Sequence, residues 1–186
     1  MPRPVMKRTA GFIVVLALVA AACGGGGHDA SSDAPSSDSA SAAPSIELEG
    51  DPAPTTPFET FAGETITLAA YNGRPLVVNF WASWCPSCVA EMSAAFVPAQ
   101  LALGDQVAFL GLNIQDERDK ALDLVEETGV LFDLAEDPVG ALYTELGGLG
   151  MPFTIYISAD GQVLDVHNGP LTEGQLIDQI TETLLS

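Results

Sequence analysis

Positive charge is what this sequence has least of: six Lys and Arg stand against 25 Asp and Glu, a formal net charge of −19. Such a surface repels nucleic acid and anionic lipid headgroups, so binding to either is disfavoured and the charge reads as a means of staying soluble. Cysteine is almost as scarce, with three in 186 residues. A disulfide scaffold needs several bridges between distant segments, and three cysteines cannot build one. A long hydrophobic run is missing too, since the most apolar stretch, residues 11–22, is too short to cross a membrane comfortably. There is no internal repeat, and the two histidines, His28 and His167, lie far apart.

What is present begins with an address. Arg3, Lys7 and Arg8 precede the apolar stretch, which ends in Ala20-Ala21-Ala22-Cys23. Small residues before a cysteine resemble the lipobox of bacterial lipoproteins, although Ala20 stands where leucine is usual. A plain secretory signal and an uncleaved anchor are the alternatives, and all three put the rest of the chain outside the cytoplasm. Residues 23–57 are rich in Gly, Ser, Ala, Asp and Pro and cannot offset the entropy of ordering, so a flexible tether is expected there. A tether after Cys23 suits a lipid anchor on the membrane better than a freely secreted protein. Removing residues 1–22 takes away three of the six basic residues and no acidic one, moving the formal charge from −19 to −22.

With Cys23 assigned to the anchor, one pair remains, in Trp84-Cys85-Pro86-Ser87-Cys88. Two thiols three residues apart, where a buried strand gives way to a helix, can close and open a disulfide with little backbone movement. So short a loop removes little chain entropy, so the pair reads as redox chemistry rather than a staple. An inert bridge and half of a metal site are the alternatives.

Residues 58–186 are long enough for one domain with a real core. A short strand or hairpin is expected over 65–69, ahead of the turn signal Asn72-Gly73. Residues 76–81 form a near-continuous apolar run, as in a strand buried on both faces. A helix over 85–103 follows, with Pro98 expected to kink or divide it. Next come a buried strand over 107–114 and a helix over 117–128, capped by Asp116 and ended by Gly129. A short strand over 130–134, a helix over 138–146, a hairpin of strands over 153–157 and 162–167, and an amphipathic helix over 172–185 complete the order. This pattern predicts an α/β fold, a mixed sheet flanked by helices on both faces.

The run Val77-Val78-Asn79-Phe80-Trp81-Ala82-Ser83-Trp84-Cys85-Pro86-Ser87-Cys88, followed by Gly150-Met151-Pro152 and a hairpin ending near Gly169, resembles the thioredoxin-fold proteins. More narrowly, it is similar to the TlpA/ResA/DsbE group of extracytoplasmic thiol-disulfide oxidoreductases. The resemblance covers most of residues 58–186 and implies a thioredoxin-like fold and an enzyme that exchanges disulfides with proteins outside the cytoplasm. No cofactor or metal beyond the redox-active Cys85-Cys88 pair is implied.

Cys85, at the helix start, is expected to be the attacking thiolate, because unpaired amides and the helix dipole there lower a thiol pKa. Cys88, one turn further in, is expected to resolve the mixed disulfide. Pro86 suits a first helical turn and, with Ser87, is expected to tune the redox potential. Trp84 is expected to pack beside the disulfide and line the docking surface; Trp81 is either beside the site or simply core. The resemblance also implies a cis Met151-Pro152 bond lying against the cysteines, the backbone before Pro152 pairing with the client chain. Phe153 departs from the threonine often found after that proline. Asn79 stands where many thioredoxins carry a buried aspartate, and an amide cannot titrate. Glu91, one turn after Cys88, is thus the candidate proton acceptor, the alternative being a solvated glutamate on the helix surface.

Two directions of electron flow fit. A reductant fed by a membrane electron-donor protein prepares apocytochrome c thiols for haem attachment; an oxidant inserts disulfides into secreted clients. A reading from another class is a non-catalytic metallochaperone lipoprotein, in which His167 joins the cysteine pair on copper. Copper chaperones of that kind space their cysteines by three residues, where this chain has two.

Overall fold

The structure is a computed structural model that describes residues 49–186. The expected leader, Cys23, His28 and most of the tether lie outside the described residues. Among those described, no helix is long and apolar enough to cross a membrane.

Seven strands form one mixed sheet: β1 (Phe58–Thr60), β2 (Thr65–Ile66), β3 (Leu76–Trp81), β4 (Ala108–Ile114), β5 (Asp133–Asp137), β6 (Phe153–Ile157) and β7 (Val163–Asn168), in the order β2-β1-β5-β4-β3-β6-β7. Strands β3, β4 and β5 are parallel, while β6, β7, β1 and β2 run antiparallel to their neighbours. All six residues of β3 are buried, because β4 and β6 cover its edges and helices cover both faces.

The period-two alternation of β3 sorts the core. Leu76, Val78 and Phe80 pack with Leu110, Leu112, Phe153 and Ile155 against Leu142 of helix α4 (Ala141–Glu145). Val77, on the opposite face, packs with Ala95, Phe96 and Ala99, and with Leu176 and Ile180 of helix α5 (Glu173–Leu184). Trp81 extends that face towards Cys85, Cys88 and Met92, and towards Ala121 and Leu124 of helix α3 (Arg118–Thr128). Burying each such large apolar side chain is worth about 1.5–3 kcal/mol before entropy is counted.

The long helix expected over 85–103 is α1 (Pro86–Glu91), a π-helical turn over Met92–Phe96, and α2 (Val97–Leu103). It is not divided at Pro98. The turn upstream of the proline widens instead, Val97 N–H reaching back to the Met92 carbonyl, and the extra residue absorbs the proline's missing donor.

Four other expectations shift. Asp116 does not cap α3; Glu117 is the N-cap, and Asp116 turns back towards Ser83. The fifth strand lies at Asp133–Asp137 rather than 130–134, and α4 begins only at Ala141. The Asp137 carboxylate accepts the Ala141 and Tyr143 amides at 2.9 and 3.1 Å, while Gly140 takes a left-handed conformation before the helix. The tether, expected to run to residue 57, meets the fold earlier. Gly50 and Ala53 donate to the Val163 and Gly161 carbonyls at 2.7 and 2.8 Å, laying the incoming chain along the β6–β7 hairpin. This covers part of an otherwise open strand edge.

Candidate active site

The site is built where β3 ends. After Trp81 the chain leaves the sheet, turns through Ala82, Ser83 and Trp84, and enters α1 with Cys85 as N-cap and Pro86 in the first turn. Pro86 costs the helix nothing there, since its missing N–H has no intrahelical partner. The Cys85 N–H closes the turn onto the Ala82 carbonyl at 3.1 Å. Cys85 and Cys88 form a disulfide with their Cα atoms 5.3 Å apart. The Cys85 sulfur accepts the Cys88 N–H at 3.2 Å, and the Ser87 hydroxyl lies 3.5 Å from it.

Cys85 retains 6% of its accessible surface and Cys88 1%, so the first cysteine is the less buried of the two. Beside it lies a groove of about 320 Å³ lined by Trp84, Cys85, Pro86, Ile114, Gln115, Tyr143, Gly150 and Met151. Trp84 stands 57% exposed over this groove, its indole N–H donating to the Gln115 carbonyl at 2.9 Å. The Met151-Pro152 bond is cis. Met151 lines the groove, whereas Pro152 is buried behind it, its carbonyl accepting the Gly169 N–H at 2.9 Å. The structure thus brings Trp84, Cys85, Pro86 and Met151 together at one groove.

Glu91 is not a surface residue: it is 3% exposed. One carboxylate oxygen accepts the Leu171 N–H at 2.6 Å, and the other accepts the Asn79 amide at 3.3 Å. Asn79 in turn donates to the Thr154 hydroxyl at 3.3 Å. Burial raises the Glu91 pKa to about 7 against the opposing pull of the Leu171 and Asn79 hydrogen bonds. A carboxyl group able to hold or release a proton near neutrality therefore lies one turn below Cys88.

His167 takes no part in the groove; on β7, its Nδ1 lies 3.4 Å from the Gln179 side-chain nitrogen. Trp81 is wholly buried in the cluster that holds both cysteines.

Sequence reasoning missed Ile114, Gln115 and Tyr143 as groove residues. They arrive from the end of β4 and from α4, two elements distant in sequence that only the sheet order brings to Cys85. Gln115 carries no composition signal, though its position between a buried strand and an acidic helix start is where loops bearing sites tend to fall. Asp116 was visible only as a possible cap.

Residues 48–184 match the redoxin family. Among curated relatives, a thiol:disulfide interchange protein DsbE of Vibrio cholerae is 34% identical over 108 residues, covering 58% of this chain and 56% of that protein. The thiol:disulfide interchange protein HelX of Rhodobacter capsulatus is 31% identical, covering 74% of this chain and 77% of that one. The chain thus spans little more than half the length of the Vibrio protein and about three quarters of HelX. Among solved structures, a thiol:disulfide interchange protein of the thioredoxin family from Chlorobium tepidum superposes with a TM-score of 0.63 at 22% identity, covering 71% of this chain and 94% of that one. The fold is thioredoxin-like, as expected.

Proposed function

This chain belongs to the redoxin family, with the DsbE and HelX thiol:disulfide interchange proteins among its relatives, and from that premise we propose that it exchanges disulfides with protein clients outside the cytoplasm. The observation that carries the reading is a Cys85–Cys88 disulfide of which Cys85 alone lines an apolar groove shared with Trp84 and with Met151 of a cis Met151-Pro152 bond.

In the reductive direction, the Cys85 thiolate attacks one sulfur of a client disulfide, forming a mixed disulfide and releasing the other client sulfur as a thiolate that takes up a proton. Cys88, deprotonated, then attacks the Cys85 sulfur. The intramolecular disulfide closes, the second client sulfur leaves as a thiol, and two electrons have passed from the pair to the client. The oxidative direction is the same path reversed. In this reading Glu91 accepts the Cys88 proton, supported by its position one turn after Cys88 and its pKa of about 7, and the backbone at Met151 pairs with the client chain.

The finer reading is that the pair works as a reductant, re-reduced by a membrane electron-donor protein, and keeps apocytochrome c thiols open for haem attachment. Lipidation at Cys23 and a tether to the membrane complete it, supported by Ala20-Ala21-Ala22-Cys23 and the composition of the segment that follows.

Turnover of a peptide disulfide tests the core of the proposal. Cys85→Ser is expected to abolish turnover, and Cys88→Ser to accumulate a mixed disulfide visible by mass spectrometry. Undiminished turnover in Cys85→Ser removes the assignment. A pair found largely oxidised at steady state in cells argues against the reductive direction.

A further inference from the structure

The turn that presents Cys85 is gripped from outside its own strand and helix. Opposite it, β4 ends at Ile114 and the chain runs through Gln115 and Asp116 into α3. The Asp116 carboxylate accepts four hydrogen bonds: from Ser83 N–H at 2.5 Å, Ser83 hydroxyl at 2.7 Å, the Asn113 amide at 2.9 Å and Glu117 N–H at 2.8 Å. One residue earlier, the Gln115 carbonyl holds the Trp84 indole at 2.9 Å. Consecutive residues of one loop thus hold consecutive residues of the other. Gln115 does so with φ at +48°, the one positive φ among the described non-glycine residues. A side chain in that left-handed region is uncommon and costs energy that neighbouring contacts must offset.

We infer that Asp116 is a positioning residue of the exchange site: by holding both Ser83 N–H and Ser83 hydroxyl, it fixes the Ala82–Cys85 turn and keeps the Cys85 sulfur on the Cys88 amide. The inference rests on the disulfide-exchange reading above. Its consequence falls on the reduced state, because a thiolate at Cys85 depends on that amide and the helix start for stabilisation. Asp116 itself is suited to the task. Burial pulls its pKa up, but the bonds from Asn113, Ser83 and Glu117 more than offset it and hold the carboxyl below its ordinary value. It therefore remains an acceptor of all four donors at neutral pH.

The same carboxylate could act merely as a nearby negative charge, and the two roles have opposite signs. Removing a negative charge favours the Cys85 thiolate and lowers its pKa. Releasing the turn weakens the amide contact, raises the thiol pKa and favours the disulfide over the dithiol. Asparagine separates the two further. Its side-chain oxygen can accept from Ser83 N–H and the Asn113 amide and its NH₂ can donate to the Ser83 hydroxyl, so the hold on Ser83 survives without the charge while the Glu117 N–H bond is lost.

The experiment uses the full chain, equilibrated in glutathione buffers at fixed ionic strength, with Cys85 alkylation rates followed against pH. Asp116→Ala is expected to shift the equilibrium about threefold or more towards the Cys85–Cys88 disulfide and to raise the Cys85 thiol pKa, with Asp116→Asn close to wild type. An unchanged equilibrium in folded Asp116→Ala, a lowered thiol pKa, or an Asn variant shifted as far as the Ala variant each overturns the inference. Should Asp116→Ala fail to fold, Ser83→Ala, which loses only the hydroxyl bond, is expected to shift both readouts the same way by a smaller amount. No shift there is equally decisive against Asp116. A wild-type pair that does not exchange with glutathione at all sinks the functional reading itself, an outcome distinct from active wild type with unshifted variants.

Discussion

Glu91 shows how one buried side chain links stability to pH. In the fold its pKa is about 7, against 4.5 for an unperturbed glutamate, because burial disfavours the carboxylate. The sign follows from linkage. A carboxyl whose folded pKa lies above its unfolded value adds stability fully below pH 4.5, and loses that contribution as pH rises through about 7. The span from 4.5 to about 7 corresponds to something on the order of 3 kcal/mol. Glu91→Gln keeps an oxygen for the Leu171 N–H, and a rotated Asn79 amide can meet the new NH₂. Denaturant unfolding at pH 5 and pH 8 is therefore expected to show wild type losing stability relative to Glu91→Gln across that interval. The same variant is expected to move the cysteine titration of the reduced protein. Unaltered thiol pKa values leave Glu91 a buried structural group and remove it from proton transfer.

At the scale of elements, one tight constraint lies where Trp81 of β3 packs against β4. A Cβ at Gly111 would lie 2.8 Å from Leu134 Cδ2, 3.0 Å from Trp81 Nε1 and 3.1 Å from Phe132 Cε2. Two of those neighbours are rigid rings in a packed layer, so Gly111→Ala is expected to destabilise the domain by about 1–3 kcal/mol, read as a lower unfolding midpoint in urea. An unchanged midpoint means that the Trp81 layer can yield.

Strands β3 and β4 were legible because burial on both faces writes itself as a near-continuous apolar run, and β6 because it alternates into a hairpin turn. Helix α5 was legible from Leu176 and Ile180 on one face, and its first turn carries a capping box between Thr172 and Gln175. Strand β5 was legible only out of register, since Asp-Leu-Ala-Glu-Asp has the composition of a loop. It is a strand because β4 offers a parallel edge on one side and β1 an antiparallel one on the other. The site divides in the same way. Cys85, Cys88 and Pro86 lie within four consecutive residues and could be read directly, whereas Gln115, Asp116 and Tyr143 depend on sheet order, which no local pattern encodes. For Glu91, spacing left burial and exposure equally open, and the loop carrying Leu171 decides between them.

Over the whole molecule, charge is the dominant long-range feature. Residues 49–186 hold 21 acidic residues, the 25 of the chain less Asp29, Asp33, Asp38 and Glu47, against Arg74, Arg118 and Lys120. Each of those cations is already engaged. Arg74 donates to the Gly104 and Val107 carbonyls, Arg118 pairs with Glu136 and lies over the Phe61 ring, and Lys120 pairs with Glu117. With three cations against 21 acids, a disulfide substrate approaching the described residues meets a negative field. That field reaches about 30 Å at ~0.01 M salt but only about 8 Å at ~0.15 M. Exchange with an anionic disulfide such as oxidised glutathione is expected to accelerate several-fold as salt is added across that range, while a lysine-flanked peptide disulfide slows. Stopped-flow rates for the two substrates at matched pH measure this. The contrast isolates the field from the chemistry, because each substrate's rate is compared with its own rate at another salt concentration. Salt dependences of the same sign would mean that the groove is shielded from the rest of the surface. Opposite signs would make the acidic excess a selector of disulfide substrates by charge at the encounter.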